Sequence, residues 1–163
     1  MEKKIKYTFP KKGRELRYYL AGFADGECCF NVSIKNQKTA KFGWVLDPFF
    51  QVTQRKEHKE LLEIFRKTLN CGRVIEKPGQ EEQSLFLVDN RRQLNEKIIP
   101  FFNKYKLFTK WNDFKKFEEI VQALEQKEHQ DKKKFKELIK KAFLMNNKGK
   151  QRRYKLDDIL NNI

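Results

Sequence analysis

The chain is short of several kinds of residue, and each shortage removes a class of function. Only three cysteines occur, Cys28, Cys29 and Cys71. An odd number with two adjacent argues against a disulfide framework and fits a reducing compartment. The two histidines, His58 and His129, stand far apart, and Cys28-Cys29 lacks CxxC spacing, so no zinc site is expected. No apolar run approaches the roughly 18 residues that a membrane span needs. Lys11, Lys12, Arg14 and Arg17 interrupt the basic start before a signal-peptide core can form, so secretion is not expected either. There is no P-loop, no GxGxxG and no Ser-His-Asp arrangement. Acid is also scarce: 22 Asp and Glu face 37 Lys and Arg, leaving a net charge of +15.

What is present is a chain built to fold and to meet a polyanion. Its 163 residues suit one domain with a proper core. The 15 phenylalanines are too many for a disordered tail. A charge of +15 favours DNA, RNA or an anionic surface.

Residues 1–12 read as a basic arm, residues 13–128 as a core and residues 129–163 as a basic helical extension. Leu16, Tyr19, Leu20 and Phe23 predict a helix over 14–24 that Gly26 stops. Cys28 to Gln37 alternates, with Phe30, Val32 and Ile34 on one face, which predicts a half-buried strand. In this reading Cys28 is exposed and Cys29 packs inward. Phe42 to Gln54 is a second strand, which Pro48 bends or confines to an edge. A helix over 57–69 follows, then a hairpin of 72–77 and 84–89 around Pro78-Gly79. Asn90 caps a helix over 93–103 that Pro100 ends early. Thr109 caps a long helix over 110–126, and a helix over 132–145, a basic loop over 146–155 and a short turn over 156–160 close the chain. The order α-β-β-α-β-β-α predicts an α+β fold with an antiparallel sheet.

The most informative stretch is Leu20 to Glu27, Leu-Ala-Gly-Phe-Ala-Asp-Gly-Glu. Gly22 and Gly26, four residues apart, share a helix face on which another backbone can approach closely. With Leu20 and Phe23 they form the predicted dimer face, closed by a two-fold axis. Glu27 then meets its copy at the seam, and two carboxylates there call for a hard divalent cation with oxygen ligands. The polar sheet face offers Asn31, Ser33, Lys35, Gln37, Asp47, Gln51, Thr53, Arg73 and Lys77, side chains able to read base edges in a major groove. Ile75 and Phe86 are placed on this face as apolar members. From alternation alone, a merely solvated face is the favoured reading. The segment 132–155 holds eleven Lys and Arg against Glu137 alone, which suggests phosphate contacts, among them Lys148, Arg152 and Arg153.

Leu20–Glu27 resembles the LAGLIDADG motif of homing endonucleases. Phe50-Gln51-Val52-Thr53-Gln54, the stretch 100–110 before a long helix, and the element order extend the resemblance over about residues 14–126. A single motif resembles the homodimeric, intron-encoded subclass that cuts ribosomal-RNA genes. The resemblance implies a LAGLIDADG endonuclease fold with an antiparallel saddle sheet, here with extra C-terminal helices. It implies site-specific cleavage of both strands of a long near-palindromic duplex, leaving 3′ overhangs. Glu27 and the Gly26 carbonyl are the implied metal ligands. The implied ion is Mg²⁺, with Mn²⁺ as a substitute and Ca²⁺ as an ion that binds without supporting cleavage. Gln54 is the implied solvent-positioning residue, and Lys110 the active-site lysine, with Lys106 in reserve. A basic residue that the family often has four positions after Gln54 is His58 here, so Lys56 or Arg55 stands in or the role is absent. The family commonly ends its motif in Asp, whereas this chain has Glu27.

Two rival readings use the same fold without cleavage. One is a maturase acting on intron RNA; the other is a DNA-binding regulator. Neither needs an acid at position 27. Membrane binding is disfavoured because the apolar stripes are used by the core. The expected location is an organelle, chloroplast or mitochondrion, or a bacterial cytoplasm.

Overall fold

Leu16, Leu20 and Ala24 recur every four residues, and with Ala21 they bury one face of helix α1, Gly13–Glu27. The computed structural model describes residue 9, residues 12–146 and residues 152–163. The expected stop at Gly26 does not occur. The Cys28 N–H closes on the Ala24 carbonyl and Cys28 is already extended, so helix passes into strand with no loop between them. Tyr18, Tyr19, Gly22 and Gly26 form the outward face of α1.

Strand β1 is Cys28–Asn36, β2 is Trp44–Arg55, β3 is Arg73–Lys77 and β4 is Gln80–Val88. They form one antiparallel sheet in the order β1-β2-β4-β3. Period-two alternation puts Cys28, Phe30 and Val32 inward, opposite Val52, Phe50 and Pro48. The cysteine expectation is therefore reversed: Cys28 is buried and Cys29 half-buried. Pro48 is tolerated because β4 pairs with β2 only from Phe50 onward. Its missing N–H costs no ladder bond on that open side.

Gly72, at φ +69°, leads into β3 against β4. A Cβ there would lie 2.6 Å from the Leu87 carbonyl oxygen and 2.7 Å from Val88 Cγ2, so only glycine fits. Before it come a 3₁₀ turn at Lys56–His58 and helix α2, Lys59–Leu69.

The helix predicted over 93–103 is three pieces: α3 at Arg91–Gln93, a π turn at Leu94–Ile98 and α4 at Ile99–Lys104. Asn90 caps the first, its side-chain oxygen accepting from Gln93 N at 3.1 Å. Pro100 does not end the segment. Proline lacks an N–H and its ring crowds the carbonyl four residues back, and a widened turn before it relieves both. Helices α5, Trp111–Glu125, α6, Lys132–Phe143, and α7, Leu156–Asn161, complete the chain.

The helices cover one face of the sheet around a phenylalanine core. Phe30 sits 5.0 Å from Phe50 and 5.3–5.4 Å from Phe102, Phe114 and Phe117, centroid to centroid. These distances lie in the range where aromatic pairs add to simple burial. Phe135, Leu138, Ile139, Ala142, Met145 and Ile159 of the extension join the same core. The extension also closes the free edge of β1: Asn146 donates to the Phe30 carbonyl and Arg152 to the Val32 carbonyl, both at 2.8 Å. Unpaired edge groups that would invite another strand are thereby used.

Candidate active site and nucleic-acid face

The last turn of α1 holds two acids, Asp25 and Glu27, and no basic residue. Acid at a helix C-terminus opposes the helix dipole, so this arrangement is not explained by helix stability. The two acids have different surroundings. Asp25 is clasped by the start of α5, its carboxylate accepting from the backbone N–H groups of Thr109 and Lys110, each at 3.0 Å. The Thr109 hydroxyl donates to the Asp25 carbonyl at 2.9 Å. Burial raises the Asp25 pKa, but these donors and Phe108 N–H outweigh it and hold the carboxyl below its ordinary range. Glu27 is exposed, with no hydrogen bond or ion pair among the described residues. The last carbonyls of a helix have no partner within it. Ala24 accepts from the Cys28 N–H and Asp25 from the Thr109 hydroxyl, and the Gly26 carbonyl follows next to Glu27.

Asp25 thus ties α5 to the motif helix across 84 residues of sequence. Asp25 takes the amides of Thr109 and of Lys110, the two residues just before α5; the cap position falls on Lys110, not Thr109, and makes no side-chain cap bond. Lys110 is half-buried, and its charge acts on the thiols of Cys28 and Cys29, directly after Glu27. Burial nevertheless pushes the Cys28 and Cys29 thiols up, and that of Cys71 to about 11, so none is a ready thiolate. Lys106 lies 5.7 Å over the Trp111 ring. Gln54, half-buried near the end of β2, follows two residues after Val52, the partner of Cys28. Its side-chain oxygen accepts from Arg55 N at 2.7 Å. Lys56 pairs with Glu76 at 2.9 Å, and His58 lies 3.5 Å from Glu57.

The sheet face away from the helical core carries Asn31, Ser33, Lys35, Asp47, Gln51, Thr53, Arg73 and Lys77, all half-buried or exposed. Lys35 and Asp47 form an ion pair. Arg73 grips Asp89 with both terminal nitrogens at 2.7 Å, which lowers the Asp89 pKa. Lys77 donates to Gln83 at 3.1 Å. Val45, Phe49, Ile75, Leu85 and Leu87 supply apolar patches between them. Along the β1 side, Asn31, Ser33 and Lys35 share a groove of about 540 Å³ with Arg153 and Tyr154 of the extension.

Several expectations are corrected. Leu20 is fully buried against its own core, in line with Leu16 and Ala24, and so lies off the outward face of α1. Tyr18 and Tyr19 take that place beside Gly22, Gly26 and half-buried Phe23. Phe86 is on the core face, fully buried opposite Val52 and Val74. Gln37 lies just beyond β1, its amide donating to Thr39 in the turn. Arg152 is turned inward, donating to Val32 and Ala142 carbonyls at 2.8 and 2.6 Å, and burial lowers its pKa. It is a structural tie, whereas Arg153 is exposed. Lys148 lies outside the described residues. The basic run is less one-sided in space than in sequence: Glu128 pairs with Lys134 at 3.2 Å, and Glu119 pairs with Lys141. The clasp of Asp25 and the exposed Phe108 beside it lie beyond what the sequence pattern predicts. The Asp in the motif was the available signal.

Comparison with known proteins gives consistent matches. The model of the LAGLIDADG endonuclease family matches residues 20–121. Homing endonuclease I-ApeII of Aeropyrum pernix is 32% identical over 149 residues, covering 89% of this chain and 88% of that protein. DNA endonuclease I-CeuI of Chlamydomonas moewusii is 40% identical over 91 residues, 56% of this chain; the match spans 42% of that protein's length. Among solved structures, the archaeal intron-encoded homing endonuclease I-Vdi141I complexed with DNA superposes with a TM-score of 0.83 at 35% identity, covering 90% of this chain and 92% of its own. Group I intron-encoded I-CeuI complexed with DNA gives 0.84 at 27% identity, over 91% of this chain and 76% of its own.

Proposed function

Because the chain belongs to the LAGLIDADG endonuclease family, we propose that it is a site-specific double-strand DNA endonuclease that works as a homodimer. The observation that carries this is the end of α1. An unpartnered carboxylate, Glu27, stands there beside the Gly26 carbonyl, on a helix face whose glycines leave open space. The donor set is all hard oxygen, which fits a divalent cation such as Mg²⁺. Mn²⁺ substitutes in this reading, and Ca²⁺ binds without supporting cleavage. Among the described residues no three His, Cys, Asp or Glu side chains converge. One chain therefore offers too few ligands, and a two-fold axis along the outward face of α1 brings a second Glu27 to the same place.

When bound, such an ion supplies Lewis-acid polarisation and a more acidic water. The chain's own groups do the rest. Glu27 and the Gly26 carbonyl fix where the cation charge sits. The half-buried Lys110 offers positive charge to the phosphate as negative charge develops. Gln54 has its amide N–H₂ free to orient solvent after its oxygen has accepted from Arg55. The outer sheet face reads base edges in the major groove, and the long near-palindromic duplex that results is cut to leave 3′ overhangs.

Binding of duplex DNA is supported by relatives whose structures are complexed with DNA. That favours duplex over intron RNA as the partner. No helix among the described residues is long and apolar enough to cross a membrane. The matched relatives come from an alga, an archaeon and fungi. We place the chain's action in an organelle or a prokaryotic cytoplasm accordingly. The test is Glu27→Gln: cleavage is lost while duplex affinity stays within about threefold of wild type. Equal loss of both removes Glu27 from the metal site.

A further inference from the structure

The sheet face proposed to meet DNA contains acid, which is costly beside phosphates. Asp47 is the plainest case, central on β2, with its side chain 42% exposed and paired to Lys35, itself 60% exposed. An ion pair so open to solvent contributes little to stability, so folding does not explain it. In the major groove, DNA presents hydrogen-bond donors only on cytosine N4 and adenine N6. A carboxylate on a groove-facing sheet is thus useful where it meets one of these amino groups.

Its partner narrows the choice. One Lys35 N–H is directed at Asp47 Oδ2, which leaves two donors on the ammonium and Asp47 Oδ1 as a free acceptor. Guanine N7 and O6 form a double acceptor next to the amino group of the paired cytosine. Lys35 and Asp47 come from adjacent strands and lie diagonally across the ladder, where Ser33 faces Asp47 and Val45 faces Lys35. A donor and an acceptor held side by side are the complement of a G·C edge. Arg73 and Asp89 offer this less well, because their fork-to-fork contact turns the guanidinium and the carboxylate toward each other along both nitrogen–oxygen pairs.

We infer that Lys35 and Asp47 act as one unit that reads a single G·C base pair, Lys35 on guanine and Asp47 on cytosine. This rests on the proposed DNA-endonuclease reading. In a homodimer the pair occurs twice, so the same base pair appears in each half-site, related by the two-fold axis. The ion pair orients both side chains before DNA arrives, and it offsets the charge that would otherwise repel phosphate.

The test is a binding selection from a randomised duplex library in chelator, with the wild type, Asp47→Ala, Lys35→Ala and Asp47→Asn. The wild type should enrich a long site with a G·C pair at one symmetric position. Both alanine variants should lose preference at that same position, by roughly tenfold to a hundredfold, and keep the others. Asp47→Asn should move the position toward A·T, since an amide can pair with adenine N6 and N7. Shared loss at one base pair is a result that a merely structural ion pair would not give. Changes at different positions, or none, with the rest of the site still enriched, overturn the inference and leave the endonuclease reading standing. No enriched site for the wild type overturns both.

Discussion

Gly22→Leu separates the fold of one subunit from its pairing with another. A Cβ at Gly22 meets nothing within 4 Å in the single chain. The residue is mid-helix on the outward face of α1, where replacing glycine by leucine gains about 0.8 kcal/mol of helix propensity. For a chain of this size that raises the melting temperature by roughly 2–3 °C. The dimer should respond in the opposite direction. Two helices packed through glycines leave no gap, and a two-fold axis brings both new side chains into the seam. Overpacking costs about 1–3 kcal/mol per insertion, hence roughly 2–6 kcal/mol for the pair. That weakens the dimer by about 30-fold to more than 10⁴-fold. Sedimentation velocity over a concentration series measures the second effect. Thermal unfolding at a concentration where both proteins are monomeric measures the first. A variant that dimerises as tightly as the wild type refutes the α1 seam. A monomer that melts several degrees lower refutes the claim that this face is free within the subunit.

Other outcomes follow from the same geometry. Asp25→Ala should cost about 1–2 kcal/mol, because the start of α5 loses its acceptor, and lower the melting temperature by roughly 2–8 °C; Asn should recover part of this, and an unchanged melt would remove the clasp. Arg152→Ala should destabilise by about 2–3 kcal/mol while the salt dependence of DNA binding stays the same, whereas Arg153→Ala should leave stability alone and lower the salt slope by about one. The reverse pattern in urea melts and salt titrations would contradict the inward placement of Arg152. Burial and the charge of Arg91 hold the His129 pKa below its usual value. Protonation therefore favours the unfolded chain: this contribution is complete above about pH 6.5 and fades as pH falls through the lowered folded pKa. The urea midpoint should drop more steeply from pH 7 to 5 in wild type than in His129→Gln, and identical profiles would show that His129 contributes nothing.

Local rules carried the reading of the chain a long way, and failed where distant groups decide. The 3- and 4-residue recurrence of Leu16, Tyr19, Leu20 and Phe23 predicts α1 correctly. Burial together with Leu16 and Ala24 puts Leu20 in the core, a choice between two helix faces that periodicity alone does not make. Gly26 reads as a helix stop, yet the helix continues because Cys28 supplies the closing N–H. In β4, Leu85 and Leu87 face outward while Ser84, Phe86 and Val88 face in. Apolar residues on both faces blur the alternation, which is why it misplaces Phe86 on the outer side. Asn90 is legible as a cap because its partner, Gln93, is three residues away. The clasp of Asp25 and the edge contact of Arg152 to Val32 span 84 and 120 residues, beyond any local pattern. Of the candidate site, Glu27, Gly26, Gln54 and Lys110 were read from the motif and the stretches that resemble the family. The tie that holds Lys110 against the motif helix through Asp25 needed the fold.

Cleavage of a specific duplex by way of the acid at the end of α1 is the step on which the proposed function turns. The most direct measurement is to incubate the protein with a randomised duplex library and Mg²⁺, with Ca²⁺ and chelator as controls, and sequence the cut ends. One long, near-palindromic site with 3′ overhangs should emerge, cut with Mg²⁺ and left whole with Ca²⁺ or chelator. Retained, salt-dependent binding to duplex or intron RNA with no cutting under any of these conditions would contradict the proposed function.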